Sequence, residues 1–441
     1  MTTGEVARDK QTPHSSSGAG ILKSSGRAWG MTGLVVFLYI VNWGDKVVLG
    51  VIAQPLAREL GLTASQIGLA GSLFFLAFTI GGFFAGPINK YVTLRWSLLA
   101  LAVAWSVVML PLVVAASMTM LIVSRMLLGL AEGPSAGLMH TATYSWHPPA
   151  KRGLPSALLT GASSMAKIAL APILTFVTIE YGWRTAVLGL CGLGAVWAVC
   201  WLASWSEGPY AGKASAELDS DIGGTEPSAP WRTIFLSRTF VSCAVLVIVV
   251  YALVTMVLTW LPSYFEVGLG FSAMQAGSLF ALPSIVSLVL MIMSGAVTDR
   301  LRQRGASARL VRIIVPCVGV IVCGSVLMAM PVFDTPIVAV VAISIGYGFS
   351  AMVFPLVNSA ISELCPPQQT AGTMGTFIAL MAVGGLIAPY ATGLIVDNAA
   401  TPAAGYLLAF QLLGGLGLVA AVLALVFAHP DRDRKLIRER S

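Results

Sequence analysis

Charge is what this chain has least of. Asp, Glu, Lys and Arg make up 10% of its 441 residues, while 57% are hydrophobic; soluble domains run to about 25% charged. That excludes an ordinary water-facing globular protein and reads as a polytopic membrane protein. Catalytic motifs are missing too. There is no HExxH, no nucleotide loop, no nucleophile elbow and no polar stretch long enough to hold a soluble domain. Neither a membrane enzyme nor a receptor is expected, and no catalytic residue, metal site or cofactor is assigned. The six cysteines show no CxxC or metal-ligand spacing and read as small packing residues. Residues 1–28 are polar and lead directly into a full-length apolar run, so no cleavable signal peptide is expected.

What is present is glycine, 45 of them, and long apolar runs. Small residues let membrane helices approach closely. Twelve runs can be placed, at about 30–54, 66–88, 94–115, 118–144, 153–178, 184–205, 238–262, 273–297, 309–331, 336–362, 370–395 and 404–428. The polar segment 206–237, with Glu207, Glu217, Asp219, Asp221 and Glu226, has linker composition. It separates a first unit, 29–205, from a second, 238–428, with tails at 1–28 and 429–441. The net charge of +7 reflects topology rather than nucleic-acid binding. With the N-terminus in the cytoplasm, 21 of the 26 basic residues fall in cytoplasmic segments, and only Arg58 and Arg184 fall in outer loops. Lys46, Arg125 and Lys167 remain inside the spans. Such asymmetry places both termini inside, with an even number of spans.

The units repeat. Gly86 to Arg95 recurs as Gly295 to Arg304, Pro148-Pro149 as Pro366-Pro367, and Pro172 as Pro389. A duplicated six-helix unit predicts an all-α membrane protein of 12 transmembrane helices in two pseudo-symmetric bundles, with a site between them near mid-depth.

Five charged residues lie away from the ends of the runs of the first unit, and intramembrane charge is costly enough to mark function. Arg125 and Glu132 are seven residues apart, which returns to the same helix face within about 20°; Gly129 and Gly133 flatten that helix for close approach. Asp45 and Lys46 are adjacent and point about 100° apart, so each should meet a different neighbour. Lys46 is expected to approach Glu132 or a substrate, and Asp45 to face a separate, water-accessible gate. Asn42, four residues before Lys46, shares its face. Lys167 lies mid-span, about five residues before Pro172, and is read as a cavity-facing substrate charge. Three cations against two carboxylates leave +1 within the spans, which favours an anionic substrate. Trp43 could cover a ring or a sugar face; Tyr251 and Asn358 are the foremost polar candidates in the second unit. His140, about 80° off the Glu132 face, and His147, at the loop, are read as packing and interfacial.

The sequence Gly295-Ala-Val-Thr-Asp299-Arg300-Leu-Arg302-Gln-Arg304 and the pattern Arg125, Gly129, Gly133 resemble signatures of the major facilitator superfamily. Asn42-Trp43-Gly44-Asp45-Lys46, Glu132-Gly133, Arg152-Gly153, Gly182-Trp183-Arg184 and Trp260-Leu261-Pro262-Ser263-Tyr264 resemble its anion:cation symporter family, whose members move sugar acids, aromatic acids and dicarboxylates with protons. The chain departs from that pattern at Lys46, where arginine is usual, and at Lys90 and Tyr91, where Asp and Arg are usual. Phe78 stands where a tyrosine is common, and Ile378 lies near the place of an asparagine. The resemblance implies proton-carrying carboxylates at Asp45 and Glu132, anion-binding cations at Lys46 and Arg125, and a cytoplasmic gate at Asp299 and Arg300. It implies a monomeric, proton-coupled importer of a small organic anion, working by alternating access in a bacterial plasma membrane. The competing expectation is a proton-driven exporter of drugs or metabolites. Such exporters carry a GxxxGPxxGG pattern in the fifth helix, which Gly161 to Pro172 lacks.

Overall fold

The computed structural model describes residues 17–148, 151–210, 228–333, 335–366 and 369–439. Of residues 17–25, Gly153, Asp299 and Ala371 only the backbone is described. Pro149, Pro367 and the acidic linker residues Glu217, Asp219, Asp221 and Glu226 lie outside the described residues. Among those described there is helix and turn but no strand.

The helices follow in chain order. They are α1 (Ser17–Leu60), α2 (Ala64–Gly82), α3 (Ala85–Tyr91), α4 (Leu94–Val108), α5 (Leu110–Val114), α6 (Met118–Glu132), α7 (Ser135–Tyr144), α8 (Gly153–Met165), α9 (Ala171–Tyr181) and α10 (Trp183–Ser204). The second unit continues with α11 (Trp231–Phe235), α12 (Arg238–Ser263), α13 (Ala273–Leu279), α14 (Leu282–Gln303), α15 (Val315–Met328), α16 (Pro336–Ser350), α17 (Val353–Ser362), α18 (Thr370–Asp397), α19 (Pro402–Phe427) and α20 (Pro430–Arg438). A π-helical turn, Ala166–Leu170, joins α8 to α9.

Among the described residues, 11 helices are long and apolar enough to cross a membrane. The run from 118 to 144 is not among them. It carries Arg125 and Glu132, and its helix is interrupted at Gly133 and Pro134. Proline supplies no N–H for the i−4 carbonyl, so the ladder breaks just past Glu132. Side chains such as Val199, Ile292 and Val426 are more than half exposed, as expected of surfaces turned toward lipid.

Local structure repeats at the offset seen in the sequence. Gly61 (φ 64°) and Gly270 (φ 76°) are 209 residues apart and both adopt the left-handed conformation, which side chains with a Cβ resist. Each is followed by a capping box that starts a helix, Thr63 with Gln66 and Ser272 with Gln275. The hydroxyl accepts from one exposed N–H while the glutamine returns to another.

Packing positions the interior. α2 lies against α6 on one side and α18 on the other. At Gly129 a Cβ would strike the Phe74 carbonyl, and at Gly133 the Phe78 carbonyl; these two glycines let the α2 and α6 backbones meet. One end of the assembly is drawn together across the two units. Asp397 accepts from the N–H groups of Ala64 (2.9 Å) and Ser65 (2.8 Å), the first residues of α2. Arg58 pairs with Glu266 at 2.8 Å. Gly68 sits on the Pro389 backbone, Gly393 on Ala64, and Gly277 on Thr175. This is the end that the distribution of basic residues leads one to expect outside.

Candidate functional site

The first and sixth helices bring four of the five intramembrane charges together. The Lys46 ammonium donates to a Glu132 carboxylate oxygen and, at 2.7 Å, to the Asn42 side-chain oxygen one turn back on its own helix. Glu132 is fully buried, and Lys46 and Asp45 are each 6% exposed. Arg125 donates at 2.8 Å to the backbone carbonyl of Asp45, and its guanidinium lies 4.5 Å from the centre of the Phe74 ring. The seven-residue spacing therefore does put Arg125 and Glu132 on the face turned toward α1.

Asp45 differs from expectation. It is buried rather than facing a water-accessible gate, and its carboxylate has no hydrogen-bond partner among the described residues; Arg125 meets its backbone instead. The reason is packing. Beside it, Gly44 lies under Leu170 and Leu190, so this part of α1 is covered by apolar side chains from the fifth and sixth runs.

Aromatic rings enclose the cations. Lys46 lies 5.3 Å from the Trp43 ring centre, 5.7 Å from Phe74 and 5.1 Å from Phe78. Lys167 lies 5.8 Å from the same Trp43 ring and 5.7 Å from Tyr347 on α16. Trp43 thus adjoins both ammonium groups, and Tyr347 ties the site to the second unit. Lys167 is 5% exposed and has no ion pair or hydrogen bond among the described residues. It sits in the π-helical turn, a local irregularity that often marks functional positions; Pro172 follows at the start of α9. Several buried polar atoms of the site lack a partner: Asn42 Nδ2, Trp43 Nε1, Arg125 Nε and the second oxygen of Glu132. A buried polar group left unpaired is costly, and these four atoms lie in one cluster.

Tyr251 joins the same surface less directly. Its ring lies 5.9 Å from Phe75 and 6.5 Å from Phe354. Asn358, on α17, is half-buried and makes no hydrogen bond among the described residues; nothing brings it to the charged cluster. Arg300 is exposed at the end of α14, without an ion pair among the described residues, and the Asp299 side chain lies outside them. His140 stacks obliquely on Tyr144, and His147 meets the Thr32 hydroxyl at 2.8 Å. Trp260 serves packing, donating to the Pro389 carbonyl at 2.9 Å. Sequence reasoning missed Tyr347. Its signal was present as a tyrosine between two glycines mid-run; Gly346 and Gly348 seat α16 against α15 and α14.

Comparison with known proteins matches residues 35–389 to the Major Facilitator Superfamily. The chain is 28% identical to the probable sulfoacetate transporter of Cupriavidus necator, covering 90% of this chain and 93% of that one. It is 23% identical to the hexuronate transporter of Bacillus subtilis, covering 90% and 94%. Among solved structures it is similar to a D-xylose-proton symporter, with a TM-score of 0.75, 16% identity, and 92% and 99% of the two chains covered.

Proposed function

The chain belongs to the Major Facilitator Superfamily, and from that premise we propose that this membrane transporter takes up a small organic anion together with protons. The observation that carries the reading is Lys167, an ammonium 5% exposed with no ion pair or hydrogen bond among the described residues. A buried charge without a partner costs several kcal/mol. Its retention makes sense when a substrate carboxylate, or a chemically similar sulfonate, supplies the missing negative charge. Trp43 and Tyr347 then flank the body of that substrate, and the unpaired donors of Asn42 and Trp43 are available to its oxygens.

Proton coupling follows from the Lys46–Glu132 pair. While the pair is intact, the ammonium offsets the charge of the Glu132 carboxylate. An arriving anion competes for Lys46. Glu132, deep in apolar surroundings, then gains by taking a proton, because an unpaired buried carboxylate is the costlier state. Release reverses the order, and proton and substrate bias one equilibrium together. Asp45 is the second proton-carrying candidate, close to the same cations. Substrate contacts are assigned to Asn42, Trp43, Lys46, Arg125, Lys167 and, from the second unit, Tyr251 and Tyr347; Asn358 keeps this role only if it turns inward in another state.

Alternating access is the motion we infer. The six-helix units 29–205 and 238–428, joined by 206–237, would rock about the charged site. Closure at the Asp397 and Arg58 end supports an arrangement opening to the opposite, basic side, where Asp299 and Arg300 would close the alternate state.

The test is purified protein in liposomes with an imposed pH gradient. Acid outside should drive accumulation of a labelled carboxylate, and dissipating the gradient should stop it. Extrusion of a cationic drug against the gradient, with no uptake across a panel of carboxylates and sulfonates, would reject the proposal in favour of an exporter.

A further inference from the structure

Away from the transport site, a cavity of about 570 Å³ opens between α11, the start of α12 and the amphipathic α20. Its walls are of two kinds. Arg232, Arg238 and Arg432 supply positive charge, while Leu236 and Leu436 supply an apolar rim. The one acidic lining residue, Asp433, is already engaged. One oxygen accepts from the Thr239 N–H (2.9 Å) and hydroxyl (2.8 Å), and the other from Arg432 at 3.1 Å. Those bonds fold α20 back onto the start of α12 and fix the third wall. Arg232 and Arg238 have no ion pair or side-chain hydrogen bond among the described residues, and both are exposed.

The depth of the cavity is set by its neighbours. Arg238 is the first residue of a membrane-spanning helix, Arg238–Gly268. Trp231, 46% exposed, stacks on Phe235 with centroids 5.4 Å apart and rests on Gly372 of α18. A tryptophan so placed belongs at headgroup level. Leu236 is 69% exposed and Leu436 44%, so exposed apolar surface borders the arginines. Basic pockets of this kind on the cytoplasmic side suit anionic headgroups.

We propose that this cavity binds the phosphodiester headgroup of an anionic phospholipid of the cytoplasmic leaflet, with Arg232 and Arg238 on the phosphate and an acyl chain along Leu236 and Leu436. A free phosphate would satisfy the guanidinium groups but leave the leucine rim in water; a lipid matches both walls at once.

The experiment is native mass spectrometry of the full-length protein in detergent, titrated with phosphatidylglycerol, phosphatidylcholine or glycerol 3-phosphate. Phosphatidylglycerol should bind the wild type about tenfold or more tightly than Arg232→Gln/Arg238→Gln, since each basic residue near a membrane surface adds appreciably to anionic-lipid affinity. Leu236→Ser should weaken the lipid without creating affinity for glycerol 3-phosphate. Equal phosphatidylglycerol binding by the double variant would overturn the assignment of the site. Equal binding of phosphatidylcholine would overturn the role of charge, and binding of glycerol 3-phosphate as tight as the lipid's would overturn the lipid itself. Binding is counted on the folded ion, so a low yield of either variant leaves the comparison intact.

Discussion

The residues before the 206–237 segment and those after it use the same local devices and carry different chemistry. Gly61 and Gly270 make the same left-handed turn, and capping boxes at Thr63 and Ser272 start the next helix in each. Yet Asp45, Lys46, Arg125, Glu132 and Lys167 all belong to the first unit, while the second brings rings, Tyr251, Tyr347 and Phe354, to the same region. Scaffold and chemistry are therefore set by different residues. The turn and capping residues are needed wherever a helix must begin. An intramembrane charge is tolerated only where a partner or a substrate compensates it, so it stays on one side.

That contrast can be broken most severely at the Lys46–Glu132 pair. Replacing Lys46 by alanine leaves a fully buried carboxylate unpaired, at a cost of about 3–5 kcal/mol. Glu132→Gln leaves the ammonium uncompensated beside Arg125. In both variants pH-driven accumulation should fall by roughly 100-fold or more, the equivalent of about 2.7 kcal/mol, in the liposome assay. Activity within tenfold of wild type for Glu132→Gln would remove Glu132 from proton coupling.

Lys167 sharpens the comparison in a different way. If its charge awaits a substrate, Lys167→Met should weaken substrate affinity by about 10- to 100-fold, the range of one hydrogen bond to a charged group. The same change should raise the unfolding temperature, because it removes an uncompensated buried charge. A purely structural lysine would show the reverse: unchanged uptake and lower stability.

The smallest effect tests the shared scaffold. Gly61→Ala and Gly270→Ala each force a Cβ into the left-handed region and should each cost about 1–2 kcal/mol, with transport retained. Similar losses in thermal unfolding would mean that the two turns are equivalent in energy as well as in shape. A loss at only one would show that the repeat is now just geometric.

Much of the site was legible because helical periodicity is strict and intramembrane charges are rare. Arg125 and Glu132 could be put on one face from spacing alone, and Asn42 with Lys46 likewise. The same reasoning placed an apolar run at 118–144, and the structure adds that its helix is interrupted at Gly133 and Pro134, beside Glu132. That reasoning also sent Asp45 toward water, since spacing says which way a residue points but not what covers it.

The sequence by itself determined that the chain lives in a membrane, that its helices come from a repeated unit, and which few residues are costly to bury. Those are properties of composition and of periods along one helix. Tertiary structure decided the partners: Lys46 with Glu132, Arg125 with a carbonyl rather than a carboxylate, and Lys167 with none among the described residues. It also recruited Tyr347 from 180 residues beyond Lys167. Such pairings depend on which helix faces come together across the bundle, and no local period encodes that.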